Sequence, residues 1–267
     1  MPSTLPLYQI DAFTRRPFHG NPAAVVFCDH PLSPQLMLQI AAENNLSETA
    51  FVLDEHDSPS IRWFTPVVEV DLCGHATLAA AHAFFERHAE ASEAQFASRS
   101  GPLLVRRGVE LQLDFPSDPA RPAPELQSAV AHALGAPPTE LLRGRFDLMA
   151  IFDNEATIRS LRPRLADVAA LPARGVIVTS QGIDVDFVSR FFAPQAGIDE
   201  DPVTGSAHTT LTPYWSRRLG KTRLLAQQVS ARGGTLTCED CGDRTRIAGH
   251  AVTYLRGWID VSSDSDA

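Results

Sequence analysis

Arg62-Trp63-Phe64-Thr65-Pro66 returns 128 positions later as Arg190-Phe191-Phe192-Ala193-Pro194. Two further echoes follow in the same order. Gly74-His75-Ala76 is answered by Gly205-Ser206-Ala207, and Arg99-Ser100-Gly101-Pro102-Leu103 by Arg232-Gly233-Gly234-Thr235-Leu236, at spacings of 131 and 133. Each match alone is weak, but three in order with a steady drift indicate an internal duplication. Two copies exclude a solenoid and imply two similar lobes. Between them, residues 115–124 carry four prolines, at 116, 119, 122 and 124, a run expected to lie outside sheet and helix as the linker.

Within the first copy, Leu7 to Phe13 and Ala23 to Phe27 read as strands joined by a turn at Gly20-Asn21-Pro22. Ser33-Pro34 starts a helix that runs to about Glu43. Ala50 to Leu53 and Ile61 to Phe64 read as strands, and Ala76 to Arg87 as a long apolar helix. Leu103 to Arg107 and Val109 to Phe115 suggest a hairpin around Gly108. The second copy offers a helix over Leu165 to Leu171, strands over Val176 to Thr179 and Val188 to Phe192, and a helix from about Ala207. This is an α+β pattern of two lobes, each a curved mixed sheet wrapped around a central helix, without the βαβ run of a nucleotide-binding sheet.

Composition narrows the function. The 267 residues are 44% hydrophobic and 21% charged, with 23 Lys plus Arg against 32 Asp plus Glu. A net charge of −9 without a basic run disfavours nucleic acid. No apolar stretch approaches the length of a membrane span, and the first residues lack a signal-peptide pattern, so a cytoplasmic protein with no membrane partner is expected. Four scattered cysteines suit a reducing compartment. Lys221 is the sole lysine, which leaves Schiff-base chemistry hanging on one residue. The P-loop, dinucleotide and nucleophile-elbow motifs are absent.

Two places could hold an anion: Asp71-Leu72-Cys73-Gly74-His75-Ala76-Thr77 and Glu200-Asp201-Pro202-Val203-Thr204-Gly205-Ser206-Ala207-His208. In each, a glycine precedes a helix whose first N–H groups and positive dipole end suit a carboxylate. The competing reading makes the glycines packing devices and Asp201 and Ser206 caps; recurrence in both copies favours function. Glu48, flanked by Ser47 and Thr49 and followed by an apolar strand, is a carboxylate whose pKa burial would raise into the range of proton exchange, or else a solvated edge charge. Cys73 precedes the first glycine, where a helix N-terminus lowers a thiol pKa; otherwise it is a small buried side chain. Thr204 occupies the matching point, so no symmetrical thiol pair exists. Cys238 and Cys241 form a lone C-x-x-C, with His250 the only nearby third ligand, and read as coincidence. No metal site is expected.

Asp11-Ala12-Phe13, Gly20-Asn21-Pro22-Ala23-Ala24-Val25, Asn45-Leu46-Ser47-Glu48-Thr49-Ala50-Phe51, Phe64-Thr65-Pro66, Gly74-His75-Ala76-Thr77 and the stretch from Glu200 to His208 together resemble the PhzF family of phenazine-biosynthesis-like proteins, relatives of diaminopimelate epimerase. The likeness covers nearly the whole chain. It implies the epimerase-like fold with an active site between the lobes, a homodimer, and acid–base chemistry without cofactor or metal on a small carboxylate-bearing metabolite. Lobes of 1–116 and 117–252 are expected, with about 253–262 packing back on the first and 263–267 as a frayed tail. Carried over by position, Glu48 transfers the proton, His75 and Asp201 hold or relay protons, and Gly74, Gly205 and Ser206 bind the carboxylate. Cys73, Asn21 and Thr204 are further candidates. The family implies an isomerase. Epimerisation by Glu48 and Cys73, or a silent ligand-binding homologue, are the alternatives, since Thr204 replaces the second thiol of two-thiol epimerases.

Overall fold

The computed structural model describes residues 3–54 and 59–261. Within them the chain forms two units, one ending at Asp114 and resuming at Gly249, the other spanning Phe115–Ala248. The first contains β1 (Ser3–Ala12), β2 (Asn21–Cys28), α1 (Pro34–Asn44), β3 (Glu48–Leu53), β4 (Ser60–Phe64) and β5 (Glu69–Val70). It continues with α2 (Gly74–Arg87), β6 (Glu93–Phe96), β7 (Leu103–Arg106) and β8 (Leu111–Pro116). The C-terminal strand Ala251–Val261 lies at the edge of a six-stranded sheet, followed in order by β1, β2, β3, β4 and β5. β2 and β3 are parallel and the other neighbours antiparallel, a mixed sheet.

Parallel strands need a crossover, and α1 supplies it. Ser33 caps this helix by accepting from the Leu36 N–H at 3.2 Å, and Pro34 fills the first turn where no N–H is required. Met37, Ile40 and Ala41 of α1 pack with Leu5, Val26, Phe51 and Phe64 of the sheet. The central helix is α2, which packs against β1, β2 and β3. Eleven of its 14 residues are buried, and five of those are alanines, so strands can approach it from several sides. It begins at Gly74, two residues before the expected start, because the glycine turn is itself the first turn of the helix.

The β1–β2 connection explains why Gly20 stands where it does. Phe13 leaves the strand in the left-handed region at φ 62°, and Gly20 follows at φ 66°. A Cβ on Gly20 would lie 2.1 Å from the Ala12 carbonyl oxygen, so only glycine fits.

The second unit contains β9 (Arg121–Pro122), α3 (Gln127–Leu134), β10 (Glu140–Arg143), β11 (Leu148–Ile151), α4 (Glu155–Ser160) and α5 (Leu165–Ala169). Then come β12 (Val176–Gln181), β13 (Phe187–Ala193), β14 (Ile198–Asp201), α6 (Ala207–Leu219), β15 (Arg223–Gln228), β16 (Gly234–Asp240) and β17 (Arg244–Gly249). The remaining strand, Ala251–Val261, is β18 and belongs to the first unit. The sheet path runs β9, β10, β11, β12, β13, β15, β16, β17, with β14 paired to β13. Here too one helix, α6, packs against the strands: Trp215 donates its Nε1–H to the Thr179 Oγ1 of β12 at 3.0 Å and stacks on Phe187.

The duplicated phrase has the same physical role in both units. The Arg62 Nε and Nη2 donate to the two carboxylate oxygens of Glu69 at 2.7 and 2.8 Å, pinning β5 to β4. Arg190 does the same to Glu200 at 2.7 and 2.9 Å, pinning β14 to β13. Each guanidinium also lies over the ring two residues on, 5.2 Å from Phe64 and 4.8 Å from Phe192. Each pinned hairpin leads directly into a glycine turn.

Three expectations need correction. The proline run is not wholly irregular. Pro116 ends β8, and Pro122 pairs with Leu142 in β9, a terminal strand of its sheet where a missing N–H is tolerated. The hairpin around Gly108 is looser than expected, because β8 begins at Leu111. The Leu165 helix ends at Ala169. The expected tail, residues 263–267, lies outside the described residues. Among the described residues no helix is long and apolar enough to cross a membrane.

Candidate active site

In the first unit, the sheet ladder and the start of α2 bring three of the singled-out residues together. Glu48 is the first residue of β3 and is nearly buried. Cys73 is the N-cap of α2, in extended backbone conformation, and makes no side-chain cap hydrogen bond. His75 is the second residue of the helix and is buried. The His75 Nε2 lies 3.2 Å from the Glu48 Oε2, without the alignment of a hydrogen bond, and its Nδ1 lies 3.5 Å from the Cys73 Sγ. One imidazole thus spans a carboxylate and a thiol.

In the tautomer that carries its proton on Nε2, toward the Glu48 carboxyl group, the Nδ1 lone pair faces the thiol hydrogen. Burial pushes the His75 imidazole down to about 3, so the ring is neutral at physiological pH. A neutral imidazole between two proton-carrying groups can take a proton on one nitrogen and give one from the other. The same three side chains are also, among the described residues, the only group of three that could hold a metal ion, with donor atoms within 4.8 Å of one another. Cys238 and Cys241 join no such group; Cys238 is buried in β16 and Cys241 sits in the turn after it.

Asn21 is buried and opens β2, two residues before Ala23, the ladder partner of Glu48. It therefore sits at the same end of the sheet as the carboxylate. Gly74, as the first residue of α2, leaves the helix's opening N–H groups without intrahelical partners.

In the second unit, Asp201 ends β14 and is buried. Its Oδ2 accepts from the Thr204 hydroxyl at 2.5 Å, so Thr204 serves Asp201 where the first unit has a thiol. Gly205 and Ser206 precede α6, and Ser206, the N-cap, makes no side-chain cap bond. Its hydroxyl instead accepts from the Arg174 Nη2 at 3.2 Å.

The two turns share a further detail. The Thr77 hydroxyl donates to the Cys73 carbonyl at 2.6 Å, and the His208 Nδ1–H donates to the Thr204 carbonyl at 2.8 Å, each four residues back. Burial pushes His208 down to about 4.

Three supporting residues escaped the sequence reading. Gln228, at the end of β15 and fully buried, donates to the Asp201 carbonyl and the Thr204 hydroxyl at 2.7 and 3.1 Å, and accepts from the Thr204 N–H at 2.9 Å. Arg174 is held by a bidentate pair with buried Asp147 and reaches Ser206 from there. None belongs to a short motif, so only the fold reveals them.

His75 and His208 make stability pH-dependent with a defined sign. Their folded values, about 3 and 4, lie below the ordinary 6.5 of the unfolded chain. Below pH 6.5 the unfolded chain therefore takes up protons that the folded chain refuses, and stability falls as pH drops toward 4. At pH 5 each histidine contributes a loss of about 2 kcal/mol. His208→Asn, which keeps a donor for the Thr204 carbonyl, is expected to shrink the loss between pH 7 and pH 5 by about 2 kcal/mol in urea titrations. An unchanged pH dependence would sink this assignment.

The sequence profile described as phenazine biosynthesis-like protein, PhzC-PhzF, matches residues 10–257. A protein of Pseudomonas aeruginosa named as an uncharacterized isomerase is 54% identical over 262 residues, covering 97% of this chain and 99% of its own. A crystal structure of a PhzF-family protein from Enterococcus faecalis superposes with a TM-score of 0.93 at 45% identity, covering 96% of this chain and 99% of that one. A hydroxyproline epimerase from Agrobacterium vitis, 10% identical, shares the fold with a TM-score of 0.63 over 98% of this chain and 94% of its own. The fold is thus the α+β fold of the diaminopimelate epimerase-like proteins, and the chain belongs to the PhzC-PhzF family of phenazine biosynthesis-like proteins.

Proposed function

We propose that the protein is a cofactor-independent isomerase that shifts a proton on a small carboxylic acid, an amino acid or a cyclic acid. The observation that carries this reading is the buried Glu48–His75–Cys73 cluster at the start of α2, with its imidazole neutral. Glu48 takes a proton from carbon and returns it elsewhere on the same face. Gly74, Gly205 and Ser206 are assigned to the substrate's carboxylate, and Asp201 to proton handling. Removing a weakly acidic C–H requires donors aimed at the developing anion, and helix-opening N–H groups are of that kind. The names of the relatives as isomerases support the same class of reaction.

A second reading is epimerisation with Glu48 and Cys73 as the two proton carriers. The 3.5 Å contact between the thiol and the His75 Nδ1 favours it, because the neutral ring offers Cys73 a base.

Incubation in D₂O with amino acids, pyrroline acids and dihydroaromatic acids, read by NMR and mass spectrometry, tests both. Deuterium at one carbon with a migrated double bond establishes the isomerase. Inversion with an unchanged skeleton establishes the epimerase. Turnover should persist in a chelator, since the reading uses the three side chains as proton carriers and not as metal ligands. A compound bound tightly with neither exchange nor rearrangement would make the chain a silent binding homologue and overturn the proposal.

A further inference from the structure

Ser206 stands at the N-cap of α6 yet its side chain caps nothing. An N-cap serine ordinarily accepts from the backbone N–H two or three residues on. Here both of those groups are already taken: the His208 N–H donates to the Gly205 carbonyl at 3.0 Å, and the Thr209 N–H to the Ser206 carbonyl at 3.1 Å. The hydroxyl is thereby released from capping. It accepts instead from the Arg174 Nη2 at 3.2 Å.

Arg174 is held firmly for this contact. Its Nε donates to the Asp147 Oδ1 at 2.9 Å and its Nη2 to the Oδ2, a bidentate pair on a residue only 2% exposed. The guanidinium also lies 5.6 Å from the Phe191 ring centre and 5.5 Å from that of Phe146. Burial opposes its charge, but the hydrogen bonds and charge of Asp147, together with the charges of Asp201 and Asp118, outweigh that effect. The side chain therefore stays a cation.

A hydroxyl has one hydrogen and two lone pairs. When a cation donates to its oxygen, the hydrogen turns away from that cation and becomes a stronger donor. Ser206 is half-buried, and among the described residues no acceptor takes its hydroxyl hydrogen.

We infer that Arg174 is a positioning residue for anion recognition: it commits the Ser206 hydroxyl to donating, and the acceptor is a carboxylate of the bound acid. The inference rests on the assignment of Ser206 to the substrate's carboxylate made above.

Arg174→Met removes the donor to Ser206, and combining it with Asp147→Asn leaves no stranded buried charge to unfold the chain. Formate, acetate and benzoate titrated into the full ¹⁵N-labelled chain should shift the Ser206 backbone signal. Benzamide, the neutral analogue of benzoate, should bind about tenfold more weakly. The double variant is expected to weaken the tightest of the three acids by about tenfold. In a Ser206→Ala background the same pair of changes should alter that affinity by less than about twofold, because the effect passes through the hydroxyl. A merely structural role lowers stability alike in both backgrounds and does not produce this coupling. With an established substrate, the double variant should raise KM by about tenfold and leave kcat within a few-fold. Equal losses of affinity with and without the Ser206 hydroxyl would overturn the inference, as would equal binding of benzamide or the absence of any carboxylate shift at Ser206. The functional reading fails separately. Carboxylates that report on Ser206 without proton exchange in any acid would sink the isomerase and leave the role of Arg174 standing, whereas turnover with KM unmoved by the double variant would do the reverse.

Discussion

Glu48→Gln is expected to lower turnover of an established substrate by about 10²–10⁴-fold, the range for removal of a positioned general acid–base group. The substitution keeps the shape of the side chain and removes its ability to carry a proton. Because Glu48 opens β3 in ladder register with Ala23, its backbone is fixed by the sheet, and glutamine should fold in its place. The companion variant Cys73→Ser separates the two functional readings. Serine is too weakly acidic to replace a thiol as a proton carrier, yet its hydroxyl can still donate to the His75 Nδ1. In the isomerase reading turnover stays within a few-fold, since the proton leaves and returns through Glu48. In the epimerase reading it falls as far as in Glu48→Gln. Steady-state rates and single-carbon deuterium incorporation measure both. Full turnover in Glu48→Gln would exclude either mechanism.

The site was legible in the sequence to the extent that it is local. Cys73, Gly74 and His75 are consecutive, and the break from strand to helix around them is readable. Glu48 stood out because the hydroxyls of Ser47 and Thr49 flank it and an apolar strand begins directly after it. What the sequence could not supply is the closure between them. The distance from Glu48 to His75 depends on β3 lying beside β2 and on α2 packing across both, a relation carried by no spacing. Gln228, Arg174 and Asp147 were hidden for the same reason: Gln228 bonds the Asp201 turn from the end of β15, and Arg174, held by Asp147, reaches Ser206 from a loop 32 residues away. For the fold, the duplicated Arg–x–Phe phrase was a sound guide. Its purpose was not visible, because the partner glutamates, Glu69 and Glu200, sit at different distances from their arginines. Boundaries failed where a local rule met tertiary pairing. The proline run was read by its propensity, yet Pro116 and Pro122 are strand residues.

That duplicated arginine also yields the largest expected loss of stability, and the two copies should differ. Arg190 is 8% exposed and satisfies four acceptors: both oxygens of Glu200, and the carbonyls of Ile158 and Leu161 at the end of α4, each at 3.0 Å from Nη1. Arg190→Met fills much of the volume but leaves the Glu200 carboxylate and the Ile158 carbonyl without the guanidinium, while the Leu161 carbonyl keeps the Arg162 Nη1 donor at 2.8 Å. Breaking a buried pair in this way costs about 3–5 kcal/mol. Arg62, with a side chain 27% exposed, is the milder case, because Glu69 keeps a second cation in Arg99 at 2.7 Å. Arg62→Met should cost about 1 kcal/mol or less. Urea titration followed by circular dichroism, with hydrogen exchange to localise the effect to the second unit, compares them. A third variant examines the cause. If the penalty arises from the stranded charge of Glu200, Arg190→Met combined with Glu200→Gln is more stable than Arg190→Met alone. If the double variant is the weaker of the two, the loss comes from packing on Phe192 and the carbonyls, and the electrostatic account is wrong.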